Sequence, residues 1–515
     1  MYGTSTAAGD RTTDDRLEPR ARQSLDVWFA LTLLCAAAVA GPAWPPPVTI
    51  SLILASGGLL FFRWARRITG DRRLVYVVCG AYAIRSMVAL FLFVVSAYEL
   101  PVFRSLQLGQ GFWSFALDAS GYEGLTRATL RNGVCTGWIL VDSALDLFGA
   151  GVAALYWLFV PHPLVGVAFN VWAATGMVLL VFGLARRLGG SDATGVAAAA
   201  LVAFWPSSLL WSTQLLREPG FLFILFLAFS LVGRRYWLAP GRVLRAGVLL
   251  AGLAGTVLLL AKSRPYAGWI MLGAFTLVAA VGFAWYRGRG ALVWSGVALV
   301  LGVWAGTARP LWLPVTPLPF RQAGAASGFP CRVTLPPSAS QRPLVALPQL
   351  SLGVLARMRQ GFARAGGTLR ADARVDIASP LALLRQLPET VAAALFAPYP
   401  WRWFTGATTG AFRSLAAIEV VLVVALLPAL AVGSARMIRT GSFVAVFMLV
   451  HGSVIWLLVA LVAVNEGALF RLRLQGMLPV MVVGIAGGGL GVYGDLAKRI
   501  GSFVRTLRHG GDVLR

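Results

Sequence analysis

Charge is the first thing this chain lacks. Of its 515 residues, 13% are Asp, Glu, Lys or Arg, against about a quarter in soluble domains. Acids are the scarcer kind, 20 against 45 Lys and Arg, which leaves a net charge of +25. Histidine is nearly absent, and His162, His451 and His509 make no metal-ligand spacing. The four cysteines, Cys35, Cys79, Cys135 and Cys331, form no CxxC pair. Free thiols are expected, with a Cys135–Cys331 disulfide left open if both face outside. Walker A, Rossmann and kinase signatures are missing too, and with them any nucleotide site identifiable by motif. A group transferred by this chain is therefore expected on a lipid carrier rather than on a nucleotide.

What the chain has in abundance is apolar length. Hydrophobic residues make up 58% of it, in runs long enough to cross a bilayer. The expected fold class is an all-α polytopic membrane protein of twelve transmembrane helices. The crossings are expected at 25–43, 47–63, 74–98, 164–185, 193–212, 218–233, 244–262, 266–286, 291–307, 413–433, 441–464 and 475–494. The basic residues cluster between these runs. That is the pattern of topology determinants, so nucleic acid is excluded as a partner and membrane lipids are expected in its place.

Six clusters set the orientation. They are Arg63, Arg66, Arg67, Arg72 and Arg73; Arg186 and Arg187; Arg234, Arg235, Arg242 and Arg245; Arg287 and Arg289; Arg436 and Arg439; and the C-terminal tail. With all of them in the cytoplasm, the crossings alternate without contradiction. Both termini are then cytoplasmic, in a cell (inner or plasma) membrane.

This organisation divides the chain into a disordered tail (1–24), a transmembrane module (25–307), an extracytoplasmic loop expected to act as a lid (308–412), C-terminal transmembrane helices (413–494) and a basic tail (495–515). The outer face receives 99–163, 213–217, the 262–265 turn, the lid and 465–474. Residues 144–160 are apolar enough for a short crossing, but a crossing there would invert every later arginine cluster. They are expected to form an interfacial or re-entrant helix. Residues 349–364 of the lid are expected to be helical, and Gly487–Gly489 to pack closely inside the last span.

The outer segments hold the candidate chemistry. Asp118, with Tyr122 and Glu123 after it, follows the aromatic residues Phe112, Trp113 and Phe115. A carboxylate there can act as a general base or simply cap a helix. Arg217, Glu218 and Pro219 make a good helix start, or a second acid with an arginine for phosphate. Lys262 and Arg264, just before Tyr266, are cations on the charge-poor side, and so are Arg471 and Arg473. Their partners are a lipid phosphate, the acids Glu218 and Glu466, or lipid headgroups. Arg85 and Glu419 lie inside spans, where an ion must be paired or line a cavity.

In order and location, four motifs resemble the GT-C superfamily of membrane glycosyltransferases, in particular the bacterial glycosyltransferase family 39 type. They are the Asp118–Tyr122 element, WPSSLLWSTQLLREP at 205–219, KSRPYAGW at 262–269 and FRLRLQGMLPVM at 470–481. LFAPYPWRWF at 395–404 is similar to a Pro-aromatic turn of bacterial members. Two departures stand out. Asp118 has no adjacent second acid, and Glu218 stands where many relatives carry Asp. The resemblance implies that a sugar passes from a polyprenyl-phosphate carrier to a glycan or lipid acceptor in cell-envelope assembly. Asp118 would be the base, and Glu218 would orient acceptor or base. Arg217, Lys262, Arg264 and Arg471 or Arg473 would hold the phosphate, with Tyr122, Glu123 and Tyr266 beside them. Some members use a divalent metal, which stays open here as a cofactor. Two other classes compete, a polysaccharide polymerase or ligase and a polysaccharide transporter or flippase.

Overall fold

A computed structural model describes residues 29–39, 45–136, 138–141, 144–232, 243–282, 289–308, 311–314, 351–366, 369–403 and 410–492. Both tails, Arg234, Arg235, Arg242, Arg287, Cys331 and residues 315–350 lie outside them. The described chain is helical almost throughout. In order, the helices are α1 (Phe29–Val39), α2 (Pro46–Ile68), α3 (Arg72–Ala97), α4 (Asp118–Thr136), α5 (Ala144–Leu158), α6 (Pro163–Gly189), α7 (Asp192–Phe204), α8 (Pro206–Ser212) and α9 (Glu218–Leu231). There follow α10 (Val243–Ser263), α11 (Pro265–Gly282), α12 (Arg289–Ala308), α13 (Leu352–Arg364), α14 (Pro380–Phe396), α15 (Gly410–Arg439), α16 (Phe443–Val462), α17 (Glu466–Leu472) and α18 (Leu474–Ala486). Two short antiparallel pairs join loops: β1 (Gln107–Gly109) with β2 (Phe112–Trp113), and β3 (Trp138–Val141) with β4 (Leu311–Pro314).

Proline sets many of the boundaries. Pro163, Pro265 and Pro380 each open a helix, where the missing N–H costs nothing. Pro206 holds Trp205 in an extended conformation, as the residue before proline prefers. The chain therefore bends by 58° between α7 and α8.

Each of the twelve expected crossings contains a helix, but the count of twelve does not follow from the fold. Among the described residues, six helices are long and apolar enough to cross a membrane, or eight if the bent pairs α7–α8 and α17–α18 each form one span. The remaining ones, such as the 14-residue α9, have apolar stretches shorter than the ~20 residues a perpendicular crossing needs. The fold is that of a multi-pass helical membrane protein. α5 has 15 residues and packs on α4, α6 and α10.

α6 is the central helix, packed against α2, α3, α7, α9 and α18. Near its start, Asn170 donates to the carbonyls of Gln214 (2.8 Å) and Leu216 (2.7 Å), which fixes the α8–α9 turn. Near its end, Arg186 reaches Asp192 and the Ile68 carbonyl, and Thr69 donates to Asp192 at 2.6 Å. Sixteen residues of helix separate these ends, about 24 Å at the α-helical rise. The α8–α9 turn and the 63–73 and 186–187 arginine clusters are therefore at opposite ends of the bundle.

α15 and α18 touch backbone to backbone. A Cβ on Gly433 would lie 1.8 Å from the Gly484 carbonyl oxygen, and one on Gly487 would lie 2.0 Å from that of Gly433. Gly487 caps α18 and Gly488 follows it with φ +73°. These glycines therefore pack closely, as expected, but just past the helix and not inside it.

The described part of the expected lid rests on α16. Its small core, Leu355, Ala356 and Ile377, is shared with Leu461 and Val462. Arg370 N donates to the Val464 carbonyl at 2.9 Å, and Trp456 Nε1 to that of Ala394 at 3.0 Å. Buried Asp372 accepts from Arg359 (2.7 Å), Gln386 (2.9 Å) and Arg370. Burial alone would raise the Asp372 carboxyl, but the hydrogen bonds and charges of Arg370 and Arg359 hold it below the usual range.

Two predictions follow from this packing. Gly433→Ala should cost about 1–3 kcal/mol by overpacking, read as a lowered midpoint of thermal unfolding in detergent, whereas Gly183→Ala, which meets open space, should not. A depressed carboxyl stabilises above its unfolded value and loses that contribution as pH falls through the folded one. The 351–403 segment should therefore resist limited proteolysis at pH 7 and be cut readily well below pH 3.8, the ordinary value for this group. Asp372→Asn should be cut already at pH 7.

Candidate functional site

Five loops and helix starts converge at the α8–α9 end of the bundle. The first presents Asp118. Trp113 is buried, with its Nε1 donating to the Leu92 carbonyl at 3.0 Å, and Ser96 donates to the Phe112 carbonyl at 2.6 Å. The aromatic stretch is thereby tied to α3, and α4 starts at Asp118 with its side chain 46% exposed. The α8–α9 turn presents Arg217 and Glu218. Glu218 is the first residue of α9 and only 2% exposed, where the helix N-terminus favours a negative charge. The α10–α11 turn supplies Arg264 and Tyr266, α17 supplies Arg471, and α18 supplies Gln475.

These groups form one network. Arg471 Nη2 donates to Asp118 Oδ2 at 2.5 Å, while its Nε lies 3.4 Å from Glu218 Oε1. Arg264 Nη2 donates to the same Glu218 oxygen at 2.8 Å. Arg264 Nη1 lies 3.2 Å from the Tyr266 hydroxyl, which donates to Gln475 Oε1 at 2.9 Å. Tyr122 is buried near both acids, and burial followed by the Glu218 charge pushes its phenol up, so it keeps its proton at neutral pH. Of the sequence-derived candidates, the fold thus gathers Asp118, Tyr122, Arg217, Glu218, Arg264, Tyr266 and Arg471.

Two candidates point elsewhere. Glu123 is held by Arg127 at 2.6 Å and by the Tyr156 hydroxyl. Five residues along a helix turn it about 140° away from Asp118. Arg473 pairs with Glu419 at 2.7 Å and donates to the Ala397 carbonyl at 2.8 Å, fully buried. Two residues from Arg471, it points to the far side. Lys262 is buried in the last turn of α10. The mid-span ions Arg85 and Glu419 do not pair with each other. Arg85 donates to Ser212 (3.1 Å), Ser208 (3.3 Å) and the Ala81 carbonyl, and Glu419 takes Arg473. Gln475 was not among the candidates, although it is the one polar side chain just after the arginine pair in LRLQGMLP.

Charge and hydrogen bonding point to one kind of ligand. Three guanidinium groups against two carboxylates leave one positive charge in excess in a mostly buried place. Arg217 Nε, Arg264 Nε and Gln475 Nε2 are buried donors without a hydrogen-bond partner. Buried donors are rarely left unmet, and these want an acceptor, an anionic oxygen above all. Arg217, Arg264 and Tyr266 also line a cavity of about 370 Å³, whose wall is otherwise apolar apart from Ser263 and includes Met358 and Phe362 of α13 and Leu458 and Val462 of α16.

The same donor set suits a divalent cation poorly. Among the described residues no three His, Cys, Asp or Glu side chains gather, and both acids here already face arginine.

No family model, curated protein or solved structure matches the chain.

Removing Arg264 should leave Glu218 buried with a weakened counter-charge. Arg264→Leu is expected to destabilise by about 3 kcal/mol, measured by thermal unfolding. Asp118→Asn, which touches a half-exposed pair, should cost less than about 1 kcal/mol.

Proposed function

We propose that this chain is a membrane glycosyltransferase that takes a sugar from a polyprenyl-phosphate carrier and transfers it to a glycan or lipid acceptor at the extracytoplasmic face. The observation that carries this reading is the cavity. Its lining combines the guanidinium groups of Arg217 and Arg264 with a mostly apolar wall. A phosphate esterified to a long hydrocarbon matches both kinds of lining at once. The motif resemblance to the GT-C superfamily supports the same reading, and we take with it the orientation that puts the arginine clusters in the cytoplasm. In that topology the site faces outward, at the opposite end of α6 from Arg186 and Arg187.

The chemistry follows from the positions. The carrier phosphate sits against Arg217 and Arg264, with Gln475 donating a further hydrogen bond. The acceptor approaches from the Asp118 side, the more open flank of the network. Asp118 takes the proton of the acceptor hydroxyl, whose oxygen forms a bond to the anomeric carbon. The bond from that carbon to the phosphate oxygen breaks on the opposite face, so the configuration inverts. The electron pair leaves on polyprenyl phosphate, where the arginines stabilise the added charge. Arg471 touches both acids, so it couples the position of the base to that of Glu218, and Tyr122 is placed to donate to either substrate.

The test uses purified protein with polyprenyl-phosphate sugars and measures transfer to acceptor. Asp118→Asn should lower the rate by about 100- to 10,000-fold, the range for a lost general base. Glu218→Gln should also lower it, with a larger effect on carrier affinity than Asp118→Asn has. Undiminished transfer in both folded variants would remove the assignment, and directional movement of glycan without transfer would favour a transporter.

A further inference from the structure

The two helices of the 351–403 segment are polarised in opposite senses. α13 buries Leu355 and Ala356 toward α16, with Arg359 buried against Asp372, and turns Arg357, Gln360 and Arg364 outward. α14 is inside-out. Its buried side carries Gln386 and Thr390 beside Ala393 and Ala394. Its exposed side carries Leu381 (58%), Leu384 (61%), Leu387 (37%) and Val391 (41%). Steps of three, three and four residues keep these aliphatic side chains on one stripe. The inward polar groups are satisfied, since Gln386 donates to Asp372 at 2.9 Å and Thr390 to the Gln386 carbonyl at 2.9 Å. In water such a helix would be turned the wrong way round. In hydrocarbon it is the favourable arrangement, with polar groups met inside and alkyl groups against lipid.

We propose that α14 is embedded in the hydrocarbon of one leaflet, with its Leu381, Leu384, Leu387 and Val391 stripe against lipid acyl chains, and that it anchors the 351–403 segment to the membrane. Three further observations fit this occupant. α14 packs on α15 and α16, whose outward residues Ile418, Val421 and Val454 are exposed in the same way, so its stripe continues the lipid-facing surface of the bundle. Its 17 residues span about 25 Å, too little for a ~30 Å core but enough for a helix lying within one leaflet. Just beyond its end, Tyr399 and Trp401 stack with ring centroids 4.8 Å apart, and Trp401 is 72% exposed, as aromatic residues at a membrane interface are. Arg385 is the one cation exposed on α14, and its long stem can carry the charge to the headgroups. The membrane boundary thus runs between α13 and α14. Because Met358 and Phe362 of α13 wall the cavity, the anchor also holds that wall in place.

Electron paramagnetic resonance on the full chain in lipid nanodiscs tests this, with the four native cysteines changed to serine and Leu384→Cys, Leu387→Cys, Arg357→Cys or Arg364→Cys spin-labelled singly. Labels at 384 and 387 should collide with oxygen more often than with a water-soluble nickel chelate, as expected for side chains in hydrocarbon. Labels at 357 and 364 should show the reverse. Free access of the nickel chelate to 384 and 387 would overturn the proposal, and so would an immobilised label shielded from both, since that means a protein partner covers the stripe. If the cysteine-free chain does not fold, Leu384→p-benzoylphenylalanine in the natural background gives an independent reading after illumination in nanodiscs. A phospholipid adduct supports the proposal, and an adduct to a second chain or no adduct overturns it.

Discussion

One guanidinium shared between two carboxylates organises the site. Arg471 touches Asp118 on one side and Glu218 on the other, and these acids come from helices a hundred residues apart in sequence. Glu218 is buried, and a buried carboxylate survives only with compensation. The compensation here overshoots, because Arg264 and Arg217 stand beside the same acid. The excess positive charge and the unmet N–H donors are therefore consequences of how Glu218 is kept ionised. A structural ion pair would need one arginine. Here three gather, and they leave donors open beside a mostly apolar cavity.

Much of this was legible in the sequence, and what was not has a physical reason. Apolar runs give the positions of the helices, because burial in lipid or protein demands them in either case. They do not give the number of crossings, since hydropathy cannot see the 58° bend after Phe204 or the shortness of α9. Acids and bases in short turns named most of the site, because ions are scarce here and each needs a reason. Glu123 and Arg473 stand outside the network by helical phase. Each sits close in sequence to a true member of the network but points around the helix to another partner. Gln475 was passed over because an uncharged amide carries no such signal. α14 was opaque for a related reason. An average over its residues mixes Gln386 and Thr390 with the leucines, and only the fold tells which side faces in.

The pair that sequence reading assigned to phosphate binding has a different consequence. Arg473 lies at the 43° bend between α17 and α18, with Arg471 two residues before it and Gln475 two residues after. Its guanidinium reaches away from the network to Glu419 on α15 and to the Ala397 carbonyl at the end of α14, and Glu419 in turn accepts from the Ser207 amide on α8 at 3.1 Å. A buried pair of this kind adds little net stability over an apolar pair of the same shape. What it adds is exclusion of alternatives. A slip of one residue along α17 would strand Arg473 without its acid, at the cost of an uncompensated buried ion, and would carry Arg471 off both carboxylates in the same step. The register that satisfies Arg473 is the one that brings Arg471 to Asp118 and Glu218 and Gln475 to Tyr266. Since Arg473 also holds the end of α14, the placement of that helix and the geometry of the arginine–carboxylate network are set by the same ion.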